Sequence, residues 1–143
     1  MPAQLTTRHL RYLVPAAIIL TLAGALLVPR VLARIMSNTI DLVASVTDSG
    51  RQLLVTGPIE CTVGERANLR VTVTQRETGA VAEGRTVVNC TGSLQQWEIR
   101  AATQGSEVFQ EEPATAVAIA RTFDRGDVTD AHQWLVAITL VGQ

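Results

Sequence analysis

Two hydrophobic periods divide the chain. Between Arg11 and Arg30 there is no charged residue, and positions 12–29, YLVPAAIILTLAGALLVP, are almost wholly apolar. As a helix rising about 1.5 Å per residue, this segment is about 27 Å long, close to the ~30 Å hydrocarbon core of a bilayer. From Ser37 onward the period becomes two. The runs there are short, rich in Val, Thr and Ile, and separated by glycine-containing turns, the pattern of strands rather than of amphipathic helices.

The alternation places the strands. Ile40, Leu42, Ala44 and Val46 alternate with Asp41, Ser45 and Thr47 until Asp48-Ser49-Gly50 turns the chain into a run from Gln52 to Thr56. Leu69, Val71 and Val73 alternate with Arg70, Thr72 and Thr74, which predicts a half-buried strand with one apolar face. Glu77-Thr78-Gly79 makes the next turn. A strand follows over Arg85 to Thr91, and another over Gln96 to Thr103 with Trp97, Ile99 and Ala101 on one side.

After the polar stretch from Gln104 to Pro113, the run Ala114 to Phe123 sets small alanines against Val117, Ile119 and Phe123, and Asp124-Arg125-Gly126-Asp127 reverses the chain. The last strand, Ala131 to Val141, carries His132, Trp134, Val136, Ile138 and Leu140 on one side. About seven short strands without crossover helices predict a mainly β domain, a two-sheet antiparallel sandwich. Its core is expected to contain Leu69, Val71, Val73, Trp97, Trp134, Val136, Ile138 and Leu140.

Charge sets the orientation of the N-terminal segment. Arg8 and Arg11 precede the apolar run, an arrangement that keeps the N-terminus in the cytoplasm and exports the remainder of the chain. The predicted organisation is a cytoplasmic n-region over 1–11, a transmembrane signal anchor or signal-peptide h-region over 12–29, a linker over 30–38 and a β-sandwich over 39–143. The expected location is the cell membrane, single pass, with the C-terminal domain outside. Val31 and Ala33 also suit the −3 and −1 positions of a signal-peptidase site, so secretion after cleavage at Ala33 is the alternative. Within the helix, Ala17, Thr21 and Ala25 recur at four-residue spacing and form a ridge of small residues open to close approach by another helix.

Composition narrows the classes further. At 47% hydrophobic and 17% charged residues the chain is too apolar for disorder, and 143 residues suffice for one ordinary domain plus an appendage. All twelve basic residues are arginine, and four of them precede Ser37. The remaining eight face thirteen acids, so the body stands near −5, the opposite of a nucleic-acid binder.

Two cysteines in an exported body most economically form one disulfide, Cys61 to Cys90, with two free buried thiols as the other reading. Both precede Trp97, whereas in an antibody domain the tryptophan lies between the cysteines. The domain is therefore read as an immunoglobulin-like β-sandwich outside the antibody type. Gly57-Pro58-Ile59-Glu60-Cys61, Cys90 followed by Trp97, and the terminal Ile138-Thr139-Leu140 run resemble small exported bacterial domains of unknown function, typical of actinobacteria. The resemblance spans most of Gly50 to Val141. It implies an exported, disulfide-bonded sandwich and carries no activity with it.

Candidate chemistry is sparse. His132 follows Asp130 by two residues, but no nucleophile elbow accompanies the pair, which reads as structural. Glu107, Glu111 and Glu112 form the densest acidic stretch without the spacing of a calcium loop. The Arg-Gly-Asp tripeptide at Arg125 to Asp127 is explained by turn chemistry. Asn89-Cys90-Thr91 has a glycosylation spacing with the disulfide cysteine in its middle.

No catalytic residue, metal or cofactor is expected, and no nucleic acid. The expected function is that of a non-enzymatic, membrane-anchored envelope protein, an accessory or structural subunit of a surface or membrane protein assembly. A secreted module binding a small ligand or a protein is one alternative, with a small ligand taken in a cleft left by the alanines of Ala114 to Ala120; a pilin-like filament subunit is the other.

Overall fold

The computed structural model of the chain describes residues 35–143. The expectations for 1–34, including the apolar segment 12–29 and the ridge of Ala17, Thr21 and Ala25, lie outside the described residues. Eight strands succeed one another: β1 (Ile35–Asn38), β2 (Val43–Thr47), β3 (Gln52–Cys61), β4 (Arg66–Thr74), β5 (Val81–Asn89), β6 (Gln95–Thr103), β7 (Pro113–Asp124) and β8 (Asp127–Gly142). The one helical element among the described residues is a 3-10 turn at Asp48–Gly50, where Asp48, Ser49 and Gly50 all take positive φ.

Pairing runs in the order β1-β3-β2-β8-β7-β4-β5-β6, and β6 returns to β3, so seven strands close a ring with β1 added beside β3. Two seams of the ring are short. β2 meets β3 over three residue pairs and β5 meets β6 over two, whereas β3 and β6 pair along eight and β4 and β7 along nine. The domain is mainly β, and the sheet is mixed. β2 lies parallel to β8 from Val43↔Thr139 to Val46↔Gly142, which corrects the expectation of about seven strands in a wholly antiparallel arrangement. Hairpins force antiparallel neighbours, but β2 and β8 are joined by most of the chain, so no local connection dictates their direction.

Six of the eight expected core residues are buried. Leu69, Val71 and Val73 of β4, Trp97, Ile99 and Ala101 of β6, and Ile138 and Leu140 of β8 are all buried, together with Leu53, Val55 and Ile59 of β3. Ala114, Ala116, Ala118 and Ala120 of β7 also point inward and are buried. They stand beside Ile138, Val136, Trp134 and His132 in the β7–β8 register, so small side chains on one strand adjoin large ones on the next.

Trp134 and Val136 depart from the expected core. Both are only half-buried and pack against its edge. β8 is 16 residues long, and β2 pairs with it only from Thr139 onward. Over its earlier half, β7 is the one ladder neighbour among the described residues, so inward side chains there are covered from one flank. The alternation fixed their direction, while the length of the neighbouring strand decided how deeply they are buried.

Candidate functional site

Cys61 and Cys90 are bonded, with sulfurs 2.03 Å and Cα atoms 5.3 Å apart. The bridge joins the end of β3 to the residue after β5, and Cys90 N–H donates to the Glu65 carbonyl at 2.9 Å. Beside it, the Gln95 side chain accepts from Thr91 N–H and donates to the Asn89 carbonyl, so the Asn89-Cys90-Thr91 turn is held by backbone and disulfide together.

The other residues singled out by their chemistry do not assemble. His132 Nε2 lies 3.8 Å from Asp130 Oδ2, but that carboxylate is already engaged by the backbone N–H groups of Ile35 and Ala131. It ties β1 to β8. Glu107, Glu111 and Glu112 are all exposed, and among the described residues no three His, Cys, Asp or Glu side chains gather as a metal site would require. Arg125 and Gly126, at φ 50° and 103°, form the two-residue loop of the β7–β8 hairpin, the left-handed geometry that matches strand twist. The alanine side of β7 is buried rather than lining a cleft.

A different constellation emerges on the outer face of β5, β4 and β7. Alternation sends Arg66, Asn68, Arg70 and Thr72 of β4 outward, and register sets their neighbours. Arg70 lies between Arg85 of β5 and Ile119 of β7; Asn68 lies between Val87 and Arg121; Arg66 lies between Asn89 and Phe123. Four of the eight arginines that follow Ile35 thus share one face with Val87, Ile119 and Phe123. Arg70, Arg85, Arg121 and these three apolar side chains line an open groove of about 430 Å³.

The electrostatics of this face are uneven. Glu83, one step along β5, accepts from Arg70 Nη2 and from Arg85 Nη2 and fixes both guanidinium groups. The Arg70 hydrogen bond, helped by Arg85 and opposed by desolvation, holds the Glu83 carboxyl below the usual glutamate range. Arg66 and Arg121 have no carboxylate within ion-pair distance among the described residues. Four cations against one acid leave the face near +3 on a body that is acidic overall.

This group was not singled out in the sequence because its members lie up to 55 positions apart. The available signal was the placement of Arg66, Arg70 and Arg121 at outward positions of their strands; which strands lie side by side is a property of the closed sheet.

No protein-family model and no curated relative matches the chain. Among solved structures it is similar to part of a β-glucuronidase from glycoside hydrolase family 2, at 15% identity and a TM-score of 0.39, over 71% of this chain. The chain spans 11% of the length of that enzyme.

Proposed function

We propose that the chain is a non-enzymatic protein of the cell envelope, held at the membrane by residues 12–29, whose β-domain serves as a docking module in a surface or membrane protein assembly. The observation that carries this reading is the outer face of β5, β4 and β7, where arginines alternate with exposed or half-exposed aliphatic side chains on a rigid sheet. Arginine combines a large buried stem with a planar, multiply donating head and is enriched at protein interfaces.

In this reading the domain is an immunoglobulin-like sandwich. The two short seams support it, since they divide the ring into β1-β3-β6 and β2-β8-β7-β4-β5, two layers between which Trp97, Ile99, Val71 and Leu140 are buried.

Fractionation with N-terminal sequencing tests the anchor. The expected result is a chain that starts at or beside Met1, requires detergent for extraction and elutes in a complex larger than the monomer. A monomeric chain beginning at Arg34 and free in the medium would overturn both the anchoring and the assembly role.

A further inference from the structure

We propose that the outer face of β5, β4 and β7, from the groove lined by Arg70, Arg85 and Arg121 to Arg66 beside it, binds an extended acidic polypeptide segment whose carboxylates occupy alternate positions, with Arg66, Arg121 and the Arg70–Arg85 pair as successive contacts. The inference rests on the proposed docking role and names its partner by chemistry.

The spacing argues for it. In the register, Arg66, Arg121 and Arg70 with Arg85 fall on three consecutive outward rows of the sheet, through the pairs Arg66↔Phe123, Asn68↔Arg121, and Arg70↔Ile119 with Arg70↔Arg85. Outward rows are two residues apart, about 6.7 Å at the usual strand rise. Side chains at i, i+2 and i+4 of an extended partner repeat at the same interval, so one edge of such a segment presents a carboxylate to each row.

The charge agrees. Arg66 and Arg121 lack a carboxylate partner among the described residues, and Glu83 orients Arg70 and Arg85 without neutralising the face. Guanidinium forks pair with carboxylates in a bidentate manner. Val87, Ile119 and Phe123 stand between the arginines and offer apolar contact to the stems of glutamate side chains or to intervening aliphatic residues, which a purely electrostatic site for a diffuse polyanion does not need.

The test uses the full chain in detergent micelles and a fluorescent peptide of six Glu-Thr repeats, with binding read by anisotropy. The expected result is binding at low ionic strength that weakens about tenfold or more when the Debye length is cut from about 30 Å to about 8 Å. The double variant Arg66→Ala/Arg121→Ala should lose about tenfold or more in affinity with an unchanged melting temperature, because both side chains are exposed. Arg100→Ala on β6, outside the face, should bind as the parent does.

Equal binding by the double variant overturns the proposal. So does tighter, arginine-dependent binding of phosphatidylglycerol vesicles or of a sulfated polysaccharide than of the peptide, which would assign the face to a different partner. Self-association that the double variant abolishes would assign it to a second copy. Failure of peptide binding in a chain that still elutes in a detergent-stable complex removes only the partner's chemistry. Peptide binding by a chain that begins at Arg34 removes only the anchor.

Discussion

The indole of Trp97 lies against the bare Cα of Gly57, its partner in the β3–β6 register. A methyl group on Gly57 would stand 2.6 Å from Trp97 Cζ2 and 2.3 Å from the Thr39 carbonyl oxygen. The Trp97 indole N–H donates to the Pro58 carbonyl at 3.2 Å. One absent side chain thus gives the largest core residue its position and its hydrogen bond. Gly57→Ala is expected to destabilise the domain by about 1–3 kcal/mol, the usual cost of overpacking, with a shift in Trp97 fluorescence. An unchanged melting curve would show that the ring can be displaced at no cost.

Loss of the Cys61–Cys90 bond should be more severe. It closes a loop of sequence separation 29, for which the chain-entropy relation gives about 3.6 kcal/mol. The double variant Cys61→Ala/Cys90→Ala is expected to unfold at correspondingly lower denaturant, with a larger m-value, because the unfolded chain without its cross-link exposes more surface.

Gln75 is fully buried and satisfied. Its carbonyl oxygen accepts from Gln110 N–H at 2.9 Å and from the Thr78 hydroxyl at 3.0 Å, and its amide donates to the Gln110 carbonyl at 3.0 Å. This one side chain fastens the segment before β7 to the β4–β5 turn. Gln75→Ala should cost about 1–3 kcal/mol, because buried partners are left unpaired, and should speed hydrogen exchange at Gln110. Exchange at the parent rate would mean that the segment is held elsewhere.

Trp134 and Leu140 should respond in the reverse of their sizes. Leu140 is 1% exposed, and its truncation to alanine is expected to cost about 2–5 kcal/mol. Trp134 is half-buried at the flank of the core, so Trp134→Ala should cost less than Leu140→Ala in the same urea titration. A larger loss at Trp134 would place it in the core proper.

Acid should act on the arginine face through Glu83. Its folded pKa lies below the 4.5 of an unperturbed glutamate, first because of the Arg70 hydrogen bond. The stabilisation is therefore present above about pH 4.5 and is lost as pH falls through the lower folded value. A carbon-detected titration of the Glu83 carboxyl should show a midpoint below 4.5 that rises in Arg70→Ala. A midpoint at or above 4.5 in the parent would refute the pairing.

Most strands, the direction of most of their faces and the bridge were legible along the chain; β1, which lies within the expected linker 30–38, and the outward turn of Leu42 were not. Alternation at Leu69, Val71 and Val73 or at Trp97, Ile99 and Ala101 is a local property, because successive side chains of a strand point to opposite sides whatever lies beside it. Turn residues such as Arg125-Gly126 act over two positions. Two cysteines allow a single intramolecular pairing.

Relationships between neighbours distant in the chain came only with the folded domain. The parallel union of β2 with β8, the partial exposure of Trp134 and Val136, and the meeting of Arg66, Arg70, Arg85 and Arg121 all result from closure of the ring. Closure is set by the summed burial of a whole core rather than by any one segment, so it leaves no local pattern from which those relationships can be read.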